Sequence, residues 1–203
     1  PQRIHAVCDS LRLQLAARLQ ADWAWAYETH QVLGAYAPNT EQSGRRALAN
    51  LALAMLTLQA VTSGDAQWPG RAFQRSKDAS NMTDRLGAIE ALVNAHAELA
   101  TPALERFHAQ FLSLPLALDK WFMLQARARE HDGKVFARVK QLLQHPDFTL
   151  ANPNRARALV FSLTRFNPAA FHRADAAGYV FWAERVIELD AINPQIASRL
   201  ARA

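Results

Sequence analysis

The sequence predicts an all-α fold of about ten to twelve helices that pack as antiparallel pairs. Glycine is scarce, with seven among 203 residues, so the composition favours helix. Every proline after Pro1 lies at a predicted helix boundary, and no run of residues alternates as a half-buried strand does. Helix pairs that recur at intervals of about 30 residues indicate a solenoid of the armadillo or HEAT type. A compact helical bundle remains the alternative.

The amino-terminal part predicts a long amphipathic helix and then a buried one. The first helix runs from Arg3 to about Gln20. Its apolar stripe consists of Ile4, Val7, Leu11, Leu15 and Leu19. Helical spacing continues over Asp22–His30, and a turn follows between Gly34 and Asn39. The next helix, about Glu41–Val61, is apolar on nearly every side, which predicts a central helix surrounded by neighbours.

Further helices follow at the spacing that short connections require. Ser63-Gly-Asp and Trp68-Pro-Gly are predicted to end the central helix. The helices after it are predicted over Arg71–Lys77, from a cap at Thr83 to about His96, and over Ala103–Leu112, Leu116–Glu130 and Val135–Gln144. The last of these ends at His145-Pro146-Asp147.

Three Asn-Pro pairs organise the remainder of the chain, at Asn152, Asn167 and Asn193. Proline forces the preceding residue out of the helical region, which is the backbone state of an N-cap. The asparagine side chain then accepts from a first-turn N–H group, and proline itself fits the first helical position. Each pair therefore predicts the start of a helix.

Composition and charge exclude several classes of protein. Half of the residues are hydrophobic and 20% are charged, as in ordinary globular domains. The net charge of +5 is scattered and accompanies no nucleic-acid motif, so we expect solvated helix faces and no nucleic-acid partner. The uncharged run 47–64 is rich in alanine and polar side chains, which predicts a buried helix and no membrane span. A single cysteine, Cys8, and no leader pattern at the start favour a cytoplasmic location.

No catalytic or metal-binding motif is present. H-E-x-x-H, G-x-S-x-G, the P-loop and G-x-G-x-x-G are all absent, and no two histidines are four residues apart. His5 and Cys8 could share a helix face, but two ligands do not make a metal site. Glu184 and Glu188 are one helical turn apart, with Arg185 between them in sequence, as in a solvated carboxylate pair. We therefore predict no catalytic residue and no metal ligand in this chain.

Several segments resemble one enzyme family. They are NMTDRLGAIEAL (81–92), LDKWFMLQA (118–126), LLQHPDF (142–148), NPNRARAL (152–159), NPAAFH (167–172), YVFWAE (179–184) and NPQIASRL (193–200). Together they resemble the C-terminal helical domain of bacterial aminopeptidase N, the zinc-dependent alanyl aminopeptidase. The resemblance implies a curved superhelix with a concave face.

The resemblance also implies that the chain is part of a larger enzyme. We expect residues 1–203 to form a single helical domain whose zinc-containing catalytic domain is absent, with no cofactor of its own. The final residues lie inside a helical pattern without a stop signal, so further helices are expected beyond them. The expected partners are the catalytic domain of the same polypeptide and a peptide substrate, with no nucleic acid and no membrane.

Gln195, Arg199 and Arg157 are the candidate site residues. Gln195 and Arg199 are four residues apart near a helix start, where cationic groups and free N–H groups favour an anionic carboxylate. Arg155 and Arg157 lie about 200° apart around a helix, so they cannot both face one way. The resemblance implies that Gln195, Arg199 and Arg157 point from a lid towards the substrate space. The lid would limit entry to short peptides without catalysing the reaction.

Two alternatives use the same residues differently. A stand-alone helical-repeat scaffold would bind a protein or peptide and would need polar capping helices at both ends. A basic helical module would bind nucleic acid with steep salt dependence. Tyr179, Phe181 and Trp182 are expected to pack in the core or against another domain under any of these hypotheses.

Overall fold

The computed structural model describes residues 2–202, and every regular element among them is helical. In the first half these are α1 (Gln2–Arg18), α2 (Gln20–Thr29), α3 (Thr40–Ser63), α4 (Gln67–Asp78), α5 (Met82–Ala95) and α6 (Ala100–Phe111). The second half has α7 (Pro115–Ala126), α8 (Lys134–Leu142), α9 (Pro153–Ala156), a π-helical segment (Arg157–Phe161), α10 (Ser162–Phe166), α11 (Pro168–Phe171), α12 (Ala177–Ile192) and α13 (Pro194–Leu200). The prediction of an all-α fold is confirmed.

The described residues form two compact units. The N-terminal unit comprises Ala6–Arg106. The C-terminal unit begins at Phe107 and includes the residues up to His5. Each unit has its own buried residues. The expectation that residues 1–203 act as a single domain stays a prediction.

Helix α3 is the centre of the N-terminal unit. It packs against α2, α4 and α5, and its buried side chains include Leu53, Leu56 and Ala60. Asn39 caps its start by accepting from the N–H group of Gln42 at 2.8 Å. The apolar pattern on nearly every side of this helix thus reflects neighbours on several sides. Among residues 2–202, no helix combines the length and apolarity needed to cross a bilayer.

The apolar stripe of α1 faces solvent. Ile4, Val7 and Leu11 are each more than half exposed, and Leu15 and Leu19 are more than a third exposed. In the N-terminal unit α1 packs instead through Ala16, with Leu13 partly buried beside it, against Leu58 and Ala95. Ala16 is fully buried there, whereas the larger residues of the stripe lie on the outer face of α1. An amphipathic pattern usually marks the core-facing side of a helix, but here most of the stripe's surface at Ile4, Val7 and Leu11 is exposed.

Two helix starts were predicted wrongly. Helix α4 begins at Gln67, so Trp68 and Pro69 lie in its first turn and do not form a break. Pro69 is compatible with this position because first-turn N–H groups have no intrahelical acceptor. Helix α5 is capped by Asn81, whose side chain accepts from Asp84 N–H at 2.9 Å, and Thr83 lies within the helix.

The three Asn-Pro predictions are confirmed. Asn152 accepts from the N–H groups of Asn154 and Arg155 at 3.0 and 3.2 Å. Asn167 and Asn193 each accept from the residue three positions on, again at 3.2 Å. Each cap satisfies N–H groups that a helix start leaves without an acceptor. These caps fix where α9, α11 and α13 begin in the C-terminal unit.

Candidate functional site

Gln195 and Arg199 lie on the exposed face of α13. They are about 40° apart around the helix, since successive residues are 100° apart. The buried residues Ile196, Ala197 and Leu200 occupy the opposite side, and α13 packs against α12. Within residues 2–202, the Arg199 guanidinium has no hydrogen bond or ion pair. The structure therefore presents an amide and an unpaired cation side by side to solvent.

Two side chains fix the end of α13: Arg165, which the sequence analysis did not single out, and Trp182, for which it predicted only packing. Arg165, on α10, donates to the carbonyl oxygen of Arg199. Trp182, on α12, donates its indole N–H to the carbonyl oxygen of Leu200 at 2.9 Å. The last carbonyls of a helix have no intrahelical donor, so these side chains cap it. Because Arg165 is exposed and basic, it also adds positive charge near Arg199.

Arg155 and Arg157 face different environments, as their angular separation predicts. Arg155 is buried and forms an ion pair with Asp119 of α7 at 2.6 Å. A second nitrogen of Arg155 donates to the carbonyl oxygen of Asp147. The guanidinium also lies 5.0 Å from the ring centre of Phe122. Arg157 is half-buried and bonds only locally, to the Asn154 side chain at 3.1 Å. Only Arg157 is placed to reach another molecule.

Arg157 begins the π-helical segment that interrupts the helix from Pro153 to Phe166. Both the N–H group and the hydroxyl of Ser162 donate to the carbonyl oxygen of Arg157, the hydroxyl at 3.3 Å. Arg127 donates to the same hydroxyl at 3.2 Å. A π segment adds one residue to a turn, so the side chains before and after it change direction, and such segments are frequent at functional sites. Nothing in the local sequence signals this segment.

A cluster of two histidines and one aspartate lies elsewhere in the C-terminal unit. His108 of α6 and His145, after α8, both approach the Oδ2 atom of Asp147, with nitrogen–oxygen distances of 2.8 and 3.6 Å. The three side chains are each about a quarter exposed. Burial lowers the pKa of His145 more than the nearby Asp147 carboxylate raises it, so its neutral form is favoured. Sequence spacing could not reveal this cluster because His108 and Asp147 are 39 residues apart.

The other candidate groups have ordinary structural partners. Arg185 bonds to Glu188 at 2.6 Å and to Glu184 at 3.4 Å, so these carboxylates hold an arginine. Phe181 is buried against Phe136, with ring centres 5.7 Å apart. Of the predicted aromatic cluster, Tyr179 is largely exposed and Trp182 is partly buried.

A protein family and two sequence relatives match this chain over nearly its whole length. Residues 1–203 match the family described as "Domain of unknown function (DUF3458_C) ARM repeats". The chain belongs to this family. It is 38% identical to aminopeptidase N of Caulobacter vibrioides and 34% identical to that of Escherichia coli, in each case over 98% of its length. The prediction of armadillo-type helices and the resemblance to the helical domain of aminopeptidase N are thereby confirmed.

A solved aminopeptidase structure contains the same fold as this chain. The chain superposes on the crystal structure of Legionella pneumophila aminopeptidase A in complex with aspartic acid with a TM-score of 0.80 and 30% identity. The match covers 95% of this chain and 23% of that one. The chain spans about a fifth of the length of the aminopeptidase N relatives, 22% in both cases.

Proposed function

We propose that this chain is a lid domain of a larger zinc aminopeptidase, which removes N-terminal residues from peptides. The identity with two aminopeptidase N proteins over 98% of the chain supports this function. The lid covers the active-site cavity, restricts entry to short peptides and excludes bulk water. Its opening and closing gate the exchange of substrate and product. The chain has no catalytic residue of its own.

The exposed face of α13 carries the proposed contact with substrate. Arg199 offers a guanidinium without a partner in the described part of the chain, and Gln195 offers donor and acceptor groups beside it. A guanidinium binds a carboxylate through two parallel hydrogen bonds. We assign the free carboxyl group of a bound peptide to Arg199, with Gln195 contacting an adjacent backbone group.

Arg157 is the third residue of the proposed contact with substrate. It is half-buried, and its guanidinium bonds only to the exposed Asn154 side chain. We therefore include Arg157 among the side chains that bind the peptide.

Zinc belongs to the part of the enzyme that this sequence lacks. No H-E-x-x-H motif occurs in the chain, so its residues do not fit the catalytic zinc site of the family. When bound in the catalytic domain, zinc polarises the scissile carbonyl group and activates water. The residues of this chain bind and orient the peptide and exclude solvent. We propose that the enzyme is cytoplasmic, and the absence of an intramolecular disulfide at the single cysteine, Cys8, agrees with a reducing compartment.

The apolar stripe of α1 is the proposed docking face for the rest of the polypeptide. Val7, Leu11, Leu15 and Leu19 expose apolar side chains along the N-terminal unit. Contiguous exposed apolar surface marks an interaction site. The match covers 22% of the aminopeptidase N relative, so most of that relative's length lies outside it and supplies an occupant within the same chain.

The test of the lid is Arg199→Ala in the complete enzyme. A charge-assisted hydrogen bond contributes about 1.5–3 kcal/mol, so kcat/KM for a free tetrapeptide should fall by about tenfold to a hundredfold. The loss should disappear for the same peptide with an amidated carboxyl end. Arg12→Ala, which removes an exposed arginine of α1, is the matched control. It should leave kcat/KM unchanged for both the free and the amidated peptide. Equal kinetics of Arg199→Ala and wild type on both peptides would refute the assignment.

A stand-alone scaffold is the second candidate function. The exposed stripe of α1, together with exposed Trp25 and Leu33, would suit a groove-binding peptide or a partner helix. The mass of the native polypeptide distinguishes the two functions. The 22.6 kDa chain spans 22% of the aminopeptidase N relative from Caulobacter vibrioides, so the lid proposal requires a polypeptide of about 100 kDa. A native band near 23 kDa would exclude the lid and favour the scaffold.

A further inference from the structure

We propose that His108, His145 and Asp147 bind one divalent transition-metal ion of the Zn²⁺ type in the C-terminal unit. One potential ligand atom of each residue lies within 4.8 Å of the other two. Two imidazoles and one carboxylate form a donor set that suits zinc and related borderline-soft cations. This inference concerns a different activity from the lid proposal and does not depend on it.

The two ligand distances to Asp147 are close to what a metal ion requires, and the two histidine nitrogens lie within 4.8 Å of each other. Zinc lies about 2.0–2.2 Å from nitrogen and oxygen ligands, so two ligands at a tetrahedral angle are roughly 3.4 Å apart. The two nitrogen–oxygen distances to Asp147 are 2.8 and 3.6 Å, one below and one above that value. Shifts of a few tenths of an ångström bring both into range. The ion replaces the direct contact between His108 Nε2 and the Asp147 carboxylate.

Aromatic packing holds both imidazole rings in place. The ring centre of Trp121 lies 4.8 Å from that of His108 and 5.1 Å from that of His145. Phe122 packs edge-on to His145 at 5.7 Å. Rings held in this way lose little conformational entropy when they bind a metal, because their orientation is already fixed.

The carboxylate ligand has supporting partners as well. Arg155 donates to the main-chain carbonyl group of Asp147 and pairs with Asp119, which fixes the loop that carries Asp147. Pro146 restricts the backbone between His145 and Asp147. These contacts hold the main chain at the ligand and so limit the positions that its carboxylate can take. The three side chains remain 22–29% exposed, so an ion from solvent has access.

One hydrogen bond must change when the ion binds. The N–H group of Asp147 donates to Nδ1 of His145 at 3.2 Å, a long hydrogen bond. The metal takes this lone pair, and water can then accept from the partly exposed amide. A network of hydrogen bonds without metal is the competing account of the cluster, and the experiment below separates the two.

The experiment measures zinc stoichiometry in the complete polypeptide that contains this chain. Wild type and Asp147→Asn are dialysed against buffered Zn²⁺, and bound zinc is counted by elemental mass spectrometry. Asparagine keeps the shape of aspartate and a hydrogen-bond acceptor for His108, so folding should be preserved, as circular dichroism will verify. We expect the variant to bind one fewer zinc per chain. The affinity of this site should fall more than about 100-fold, because even outer-shell changes cost 10–100-fold.

Two further variants make the outcome decisive. His108→Gln should remove the same zinc ion, whereas His131→Gln changes an exposed histidine beside Asp132 and should leave the count unchanged. Equal zinc counts in wild type, Asp147→Asn and His108→Gln would overturn the proposal in favour of the hydrogen-bond network. A loss of the same size in His131→Gln would also overturn it, since zinc would then bind surface histidines generally. Peptidase kinetics are not the readout, so failure here leaves the lid proposal intact.

Discussion

Replacing Arg155 by methionine tests which arginine of the NPNRAR segment supports the fold. The substitution leaves Asp119 as a buried charge without its partner, at 12% side-chain exposure, and removes a donor from the carbonyl group of Asp147. Breaking a buried ion pair on one side costs about 3–5 kcal/mol. Methionine retains much of the apolar contact with Phe122, so packing loss adds little. We expect the free energy of unfolding to fall by about 3–5 kcal/mol.

The assay is urea unfolding followed by far-ultraviolet circular dichroism. With a slope of about 2–3 kcal/mol per molar urea, the midpoint of the C-terminal unit should fall by roughly 1–2 M. Arg157→Met is the matched control, two residues further on, and should change stability by less than about 0.5 kcal/mol. The double variant Arg155→Met/Asp119→Leu should recover most of the loss, because neither charge is then buried alone. Equal midpoints for Arg155→Met and Arg157→Met would refute the reasoning.

The other predictions concern a glycine in α12, a glycine in α3 and an aspartate just before α12. Gly178→Ala should destabilise the C-terminal unit in the same urea assay, because the new Cβ atom would overlap the Phe171 carbonyl oxygen. At Gly44 a new Cβ atom meets no atom within 4 Å, so Gly44→Ala should stabilise α3 by about 0.5–1 kcal/mol. The hydrogen bond from Arg173 lowers the pKa of Asp175 to about 2. In the Arg173→Gln variant, titration followed by nuclear magnetic resonance should show the pKa of Asp175 returning towards 3.8. An unchanged pKa would exclude Arg173 as the cause. Because the folded pKa is the lower one, this stabilisation is present above pH 3.8 and is lost as the pH falls towards 2.

Local rules explain why the helix starts at the Asn-Pro pairs were predictable. Asn152, Asn167 and Asn193 accept from N–H groups two or three residues away, so the interaction is contained within one short segment. The wrong prediction of a cap at Thr83 also concerns a short segment, since the actual cap, Asn81, is two residues away. Asn81 and Thr83 are both good capping residues, and extended backbone at Asn81 selects it. A choice of this kind depends on how the chain leaves α4.

The candidate surface was only partly predictable. The spacing of Gln195 and Arg199 placed both residues on one face of a helix, and the structure adds that this face is exposed. Arg165 reaches that helix from 34 residues earlier in the chain, and no local pattern predicts such a contact. The π-helical segment at Arg157 likewise depends on packing, since its sequence suits an ordinary α-helix.

Local sequence was sufficient for the all-helical class and for the helix starts at the three Asn-Pro pairs, because propensity and capping act over about one turn of chain. The family was recognisable from longer sequence segments. The tertiary structure selected which chemically similar groups are buried. It buried Arg155 and left Arg157 near the surface, and it turned the leucine stripe of α1 outward. It also brought His108 to Asp147 across 39 residues. The physical reason is that burial and ligand geometry depend on which distant segments pack together, and spacing within one segment does not contain that information.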